Sequence, residues 1–216
     1  MTEAEWQTSS NPSLLLQYVA KSATERKLRL VVLECRARVR DLMVYRPYRS
    51  AVVVAERYVE GAANATELSR ASRAALSAAT QIKLLGPVGM FRRRLAWSAV
   101  RAAVADASSL GWKVGEAVDA ATNAKHVLRP LPVGRVLRCV FGNPFRPVTF
   151  SPPWLNPTAV AIATVIYEDR AFDRLPILAD ALQDAGCEDE AILGHCRGDG
   201  VHVRGCWVVD GVLGKG

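Results

Sequence analysis

Apolar side chains recur at intervals of three and four residues along most of this chain. Between Ser22 and Pro47 the stripe consists of Leu28, Val31, Val32, Cys35, Val39, Leu42 and Met43. This spacing places side chains on one face of an α-helix. Similar stripes follow within residues 52–59, 68–82, 95–107, 118–127, 160–167 and 177–182. The pattern therefore predicts an all-α multi-helix bundle of about eight to ten helices.

Prolines and glycines mark where the predicted helices begin and end. Asn11-Pro12 begins an early helix, and Gly86-Pro87 ends a long segment rich in alanine. A helix is expected next from Phe91 to Leu110, and another from Val114 to Leu128. Together these elements form the predicted N-terminal helical bundle, residues 1–128.

Residues 129–157 form a connector of different composition. Seven prolines lie between residues 130 and 157, together with four large aromatic side chains: Phe141, Phe145, Phe150 and Trp154. Proline excludes a continuous helix, although the segment from Val133 to Phe141 has room for one or two helical turns. Disordered linkers are poor in large apolar groups, so we expect an ordered connector that lies across the helical body.

Residues 158–216 are predicted to form a small C-terminal helical subdomain, and the three segments are expected to fold either separately or as one domain. Thr158 is the expected cap of the first helix in this region. Pro176 and Gly186 bracket the next helix, because proline suits a first turn and glycine the residue after the last turn. A final helix is expected from His202 to Leu213.

The terminal region holds three of the five cysteines and two of the three histidines. On the predicted last helix, His202 and Cys206 stand four residues apart on one face, where two side chains are able to share a metal. Cys187 and either His195 or Cys196 would complete a tetrahedral zinc shell. The region lacks the closely spaced cysteine pair that marks the strong zinc motifs. The alternative is that the cysteines are small buried hydrophobes and the histidines hydrogen-bond near a turn.

A thiol enzyme is another interpretation of the same region. Cys196 or Cys206 would act as the nucleophile. His202 would be the base and Asp210 the orienting acid. The chain contains no P-loop, GxGxxG, HExxH or nucleophile-elbow motif. This favours a non-enzymatic protein that uses no cofactor, with a structural zinc as the alternative.

The net charge of +7 over 216 residues is unevenly distributed. Basic residues gather between positions 21 and 49 and again at 92–94. A basic helix face is typical of nucleic-acid-binding surfaces. The residues expected to form such a surface are Arg26, Lys27, Arg29, Arg36 and Arg40. The alternative is an ordinary solvated helix face, and no helix-turn-helix, zinc-finger or RNA-recognition signature accompanies the arginines.

No apolar run approaches the roughly 18 residues that a membrane-spanning helix needs, and the first residues are acidic and polar, unlike a secretory leader. We therefore expect a cytoplasmic protein without a membrane partner. Five cysteines, an odd number, do not indicate a disulfide framework and predict reduced thiols. Cys35 lies within an apolar stripe and is expected in the core.

Several stretches carry a resemblance to a known group of sequences: SATERKLRLVVLECRARV, FGNPFRPVTFSPPWL, and FDRLPILADALQDAGCEDEAILGHCRG followed by HVRGCWVVDGVLGK. They resemble a family of uncharacterised helical proteins from planctomycete bacteria of the Gemmata type. Its members carry a Cys-Cys-Arg-Arg run where this chain has Glu34-Cys35-Arg36-Ala37, which argues against a metal ligand at Cys35. The resemblance implies a lineage-specific interaction module and carries over no functional residue.

The first functional hypothesis is a non-enzymatic intracellular interaction or regulatory protein with a protein partner. The second is a zinc-stapled helical domain that binds nucleic acid through the basic helix, and the third is a thiol-dependent hydrolase or transferase. The first predicts an apolar or basic surface. The second predicts converging Cys and His side chains, and the third predicts a cleft lined by a cysteine, His202 and Asp210.

Overall fold

The structure, a computed structural model, describes residues 1–37, 46–81, 100, 105, 107–123 and 132–215. In these ranges 70% of the residues are helical and no β-strand is present, which confirms the predicted all-α class. The described part contains eleven α-helices. They are α1 (Glu3–Thr8), α2 (Pro12–Val19), α3 (Glu25–Ala37), α4 (Arg46–Val59), α5 (Ala65–Gln81), α6 (Ala107–Asn123), α7 (Val133–Phe141), α8 (Pro157–Asp169), α9 (Leu175–Asp184), α10 (Glu190–Arg197) and α11 (Trp207–Val212).

Side-chain caps determine where several of these helices begin. Asn11 Oδ1 accepts hydrogen bonds from the backbone N–H groups at the start of α2, and Pro12 occupies the first turn, as predicted. Asn156 caps α8 by accepting from the Ala159 N–H at 2.9 Å, so the prediction that Thr158 is the cap is wrong. Asp189 caps α10 in the same way.

Two further helix starts are capping boxes, in which a residue and a glutamate three positions later bond to each other's backbone N–H groups. The Thr2 N–H donates to Glu5 Oε2 at 2.7 Å, and the Glu5 N–H donates to Thr2 Oγ1 at 3.2 Å. Asn64 and Glu67 make the same exchange at the start of α5. The first box begins α1, which is six residues long and therefore too short to show a periodic stripe.

Residues 9–134 form one compact unit, called here the inserted unit. Within it α4 packs against α5, α3 packs against α4 and α6, and α2 packs against α6. The apolar stripes of these helices supply its core, which includes Leu15, Val31, Val32, Ala51, Val52, Ala55, Val114 and Val118. The inserted unit is therefore a helical bundle of the predicted kind.

Residues 1–8 and 135–216 together form the second compact unit, called here the terminal unit. In it α8 packs against α9 and α11, and α10 packs against α9 and α11. Its core includes Ile166, Leu175, Leu178, Leu182, Ile192 and Val208. The terminal unit is thus assembled from both ends of the chain, with residues 9–134 inserted between its two parts.

This division differs from the three predicted segments. The first eight residues belong with the C-terminal helices, and α7 and the following connector are part of the terminal unit rather than a separate layer. Most of the predicted helix from Phe91 to Leu110 and the side chain of Cys35 lie outside the described residues. Among the helices that are described, none has the length and apolar character needed to cross a membrane.

Aromatic packing orders residues 142–157, the part of the connector that follows α7. The Phe150 ring lies 6.2 Å from the Trp207 ring, and it fills the space where a side chain at position 211 would begin. Gly142 has a φ of +66° and lies so close to Trp207 that a Cβ would come within 3.2 Å of the indole. Glycine at these two positions therefore lets aromatic rings rest directly on the backbone.

Gly211→Ala should destabilise the terminal unit, because the added methyl group would overlap the Phe150 ring. Overpacking of a dense interior costs about 1–3 kcal/mol. Denaturant unfolding followed by circular dichroism would measure the change in the free energy of unfolding.

Gly194→Ala is the matched control in the same unit, since a Cβ at this exposed position of α10 meets nothing within 4 Å. It should raise the free energy of unfolding by about 0.5–1 kcal/mol, the usual gain from replacing glycine in a helix interior. An equal loss of stability in both variants would contradict the described packing of Phe150.

Candidate metal centre

Cys139 enters the site from α7. This helix buries Val136, Leu137 and Val140, and Cys139 is only 2% exposed beside them. A cysteine on an apolar helix face behaves as a small hydrophobe in most proteins. The sequence of α7 therefore explains why Cys139 is buried, while its chemical role depends on what packs against it.

His195 enters from the last turn of α10. The buried face of this helix carries Ile192, Leu193 and Cys196. Neighbouring residues project about 100° apart around a helix axis, so His195 points away from that face and is half-buried. Its imidazole lies 5.3 Å from the Trp207 ring, which holds it against the start of α11.

The other two side chains come from the segment between α10 and α11. The Cys206 N–H donates to the Val203 carbonyl at 2.9 Å, and Gly205 has a φ of +89°. This is a β-turn that needs a positive φ at its third residue, as type II turns do. The last helix is therefore present, but its predicted start at His202 is wrong. α11 begins at Trp207, and Cys206 precedes it as the capping residue.

Four ligand atoms, one each from Cys139, His195, His202 and Cys206, all lie within 4.8 Å of one another. His195 Nε2 is 3.2 Å from Cys206 Sγ, and His202 Nδ1 is 4.0 Å from Cys139 Sγ. In a tetrahedral zinc site with bonds of about 2.3 Å to sulfur and about 2.0 Å to nitrogen, ligand atoms stand about 3.3–3.8 Å apart. Shifts of about 1 Å or less would thus close a complete shell.

The ring of His202 is oriented in the way that metal-binding histidines usually are. Its Nε2 lies 3.4 Å from the Gly198 carbonyl oxygen, and a carbonyl only accepts hydrogen bonds. Nε2 therefore carries a proton, and Nδ1 faces the cysteines. In metal-binding histidines, a hydrogen bond of this kind from the nitrogen that does not bind the metal fixes the tautomer.

The electrostatics of the site favour a thiolate at Cys206. Burial raises the pKa of this thiol, but the hydrogen bonds with Cys139, His195 and His202 outweigh burial and hold the pKa well below its usual range. Burial lowers the pKa of His202, whereas the hydrogen bond and charge of Cys206 raise it, with a net increase. Metals bind the thiolate form of cysteine, so Cys206 is prepared to be a ligand.

The structure replaces one predicted ligand and decides between two others. Cys139 takes the place predicted for Cys187, and of the alternatives His195 and Cys196 it is His195 that joins His202 and Cys206. Cys187 lies in the turn after α9, where its N–H donates to the Leu182 carbonyl at 2.9 Å. Cys196 faces the core with Ile192 and Leu193.

Sequence reasoning missed Cys139 because no local signal marks it. It lies 63 residues before His202, in the proline-rich connector, with no second cysteine or histidine nearby in the sequence. The prediction of reduced thiols holds for the cysteines whose side chains are described, since Cys139, Cys187, Cys196 and Cys206 are all free.

The predicted basic surface is also corrected at one residue. Arg26 and Lys27 are partly exposed, but Arg29 is only 1% exposed. Its guanidinium pairs with Glu25, donates to the Ala105 carbonyl and lies 5.0 Å from the Tyr58 ring centroid. Arg29 therefore stabilises the inserted unit and is not available to a phosphate. The Arg36 side chain and Arg40 lie outside the described residues.

The thiol-enzyme interpretation requires a nucleophile that a substrate can reach. Cys196 is 1% exposed, and Cys206 is 0% exposed. Burial, followed by the neighbouring Cys206 and Cys187, raises the pKa of Cys196 far above its usual range. A protonated and buried thiol is inert, so Cys196 is poorly suited to be a nucleophile. The complete burial of Cys206 keeps a substrate away from its sulfur.

Iodoacetamide at neutral pH should leave Cys187 and Cys196 unmodified in the native protein, because both side chains are buried. Unfolding in guanidinium should make all cysteines reactive. Peptide mass mapping before and after unfolding measures this directly. Rapid native alkylation of Cys196 or Cys206 would instead support the enzyme interpretation.

Comparisons with protein-family models, with curated proteins and with solved structures found no match to this chain.

Proposed function

We propose that this protein is a non-enzymatic interaction protein whose terminal unit is held together by one zinc ion, bound by Cys139, His195, His202 and Cys206. The observation that carries this proposal is the convergence of four ligand atoms within 4.8 Å. The ligands come from α7, from α10 and from the segment between α10 and α11. One ion would therefore connect three segments of the unit.

The donor set favours zinc among the common metals. Two sulfur and two imidazole donors in a roughly tetrahedral arrangement are typical of structural zinc sites, whereas calcium and magnesium prefer oxygen. Four protein ligands leave no open position for water or substrate, which distinguishes structural from catalytic zinc. The burial of both cysteines agrees with a closed site. The proposed role of the metal is therefore to stabilise the fold.

Serine substitution at four buried cysteines tests the ligand assignment. Cys139→Ser and Cys206→Ser should weaken zinc binding by more than about 100-fold, since changes outside the first shell already weaken it by about 10–100-fold. Cys187→Ser and Cys196→Ser are matched controls, because these thiols are equally buried but do not belong to the group. Metal analysis and competition with a chromogenic chelator measure stoichiometry and affinity.

The expected result is one zinc per chain in the wild type and in both controls. A chelator should lower the melting temperature of these three proteins and leave Cys139→Ser unchanged, because ligand binding stabilises only the folded state that binds it. Zinc loss in Cys187→Ser or Cys196→Ser but not in Cys139→Ser would contradict the assignment. A metal-free wild-type protein that takes up no added zinc would refute the proposed site.

We propose nucleic acid as the binding partner of the inserted unit. The supporting observation is the division of charge between the two units. Residues 9–134 contain 20 Lys and Arg against 9 Asp and Glu, a net charge of +11, whereas residues 1–8 and 135–216 contain 8 against 12, a net charge of −4. Such an asymmetry is typical of chains in which one part binds a polyanion.

Exposed arginines on α4 and α5 provide a surface for this partner. Arg46, Arg49 and Arg57 lie on the exposed face of α4, and Arg70 and Arg73 are exposed on α5, which packs against α4. The charge of Arg57 is partly neutralised within the unit, since its guanidinium pairs with Glu67 at 3.4 Å. We therefore assign the phosphate contacts first to the other four arginines.

Arg46→Gln/Arg49→Gln should weaken binding to labelled DNA or RNA and reduce the slope of log K against log salt by about 2, about one for each lost phosphate contact. Fluorescence anisotropy between 50 and 200 mM salt, roughly the range in which such contacts dominate, measures the slope. Arg135→Gln/Arg174→Gln in the terminal unit changes the net charge equally and should leave the slope unchanged. No binding by the wild type at low salt would remove the proposal.

A further inference from the structure

The first helix of the chain is docked onto the terminal unit by its tryptophan. Trp6 is 0% exposed, and its indole Nε1–H donates to the Gly142 carbonyl at 3.0 Å. Arg138 Nε donates in return to the Trp6 carbonyl at 2.8 Å. Burial of an indole whose N–H is satisfied is among the most favourable contacts that a single side chain makes.

Glu3 adds a second attachment on the same face of α1, three residues before Trp6. Its Oε1 accepts from Asn143 Nδ2 at 2.7 Å and lies 2.8 Å from Arg146 Nε. Arg146 is 78% exposed, so this ion pair contributes little to stability. Trp6 is therefore the main anchor of α1, and Glu3 sets its direction.

These contacts lie on both sides of a proposed metal ligand. Arg138 directly precedes Cys139, and Gly142, three residues after Cys139, is the first residue beyond the same helix. Gly142 also lies against the ring of Trp207. Trp207 directly follows Cys206, and its ring is 5.3 Å from the His195 ring. Trp6 thus contacts residues on both sides of Cys139, and one of these, Gly142, lies against the ring that packs on His195.

We propose that α1 is a clasp that positions Cys139 for the metal, with Trp6 as the positioning residue, an inference that rests on the proposed zinc site. Cys139 is the one ligand of the four that lies outside residues 195–206. The other three are connected to each other by the last turn of α10 and the short segment that follows it. The orientation of α7 therefore decides whether the fourth ligand reaches the metal, and Trp6 holds α7 at the turn where the helix ends.

Trp6→Ala in the full-length chain tests the clasp. We expect the zinc dissociation constant to rise about 10–100-fold, the usual effect of removing a group that orients a ligand. With cobalt in place of zinc, the thiolate-to-metal absorption band should fall from the intensity of two thiolates toward that of one, because Cys206 stays and Cys139 is lost. Trp6→Phe keeps a buried ring but lacks the N–H donor. Its zinc dissociation constant should lie between those of Trp6→Ala and the wild type.

Leu178→Ala is the control for a purely structural effect. This residue is 0% exposed in α9 of the same unit, and α9 packs against α8 and α10, so its loss destabilises the core through helices other than α1 and α7. At temperatures well below unfolding it should keep the two-thiolate band. A Trp6→Ala protein with the two-thiolate band and wild-type zinc affinity would overturn the clasp.

Hydrogen exchange separates failure of the clasp from failure of the zinc site. In the metal-free full-length chain, amide protons of residues 138–142 should exchange about tenfold faster in Trp6→Ala than in the wild type, because local opening of α7 becomes easier. If the wild type binds neither zinc nor cobalt, the proposed function fails, and hydrogen exchange alone tests whether Trp6 holds α7 in place. Equal exchange rates of residues 138–142 in Trp6→Ala and in the wild type would then refute the clasp.

Discussion

The terminal unit depends on tertiary contacts between short helices that are not stable by themselves. Its α-helices are 6–13 residues long, and isolated helices shorter than about 12–15 residues are marginal in water. Two cysteines and two histidines meet where three of its segments come together. A metal at that point would fix the arrangement that packing brings about, since metal binding and folding stabilise each other.

Close approach of aromatic rings to the backbone determines how the unit packs around this site. The Trp207 ring lies against both Gly142 and His195. The Phe150 ring lies against Gly211, which belongs to α11 like Trp207. Dense interiors transmit small displacements because few voids are available to absorb them. The four proposed metal ligands are therefore coupled to the connector, which the sequence presents only as a stretch rich in proline and aromatic residues.

The two units differ in their physical chemistry as well as in their position along the chain. The terminal unit is acidic and contains all four cysteines whose side chains are described, whereas the inserted unit is strongly basic. Buried Arg29 shows that a basic stretch does not by itself define a surface, because its guanidinium is used inside the helical bundle. A protein built in this way has room for two separate roles, metal-dependent stability in one unit and recognition of a polyanion in the other.

The sequence by itself determined the helical class and many helix boundaries. Periodicity and capping are local properties, so the Asn11-Pro12 start of α2 and the Pro176 start of α9 follow from neighbouring residues alone. The sequence also indicated that His202 and Cys206 belong together with either His195 or Cys196, because these residues lie close along the chain. Only the tertiary structure decided for His195, brought in Cys139 instead of Cys187, and placed Trp6 with the C-terminal helices. The reason is that contacts between residues more than 60 positions apart depend on how helices pack. The sequence of a single helix indicates which face is buried but not which other helix covers that face.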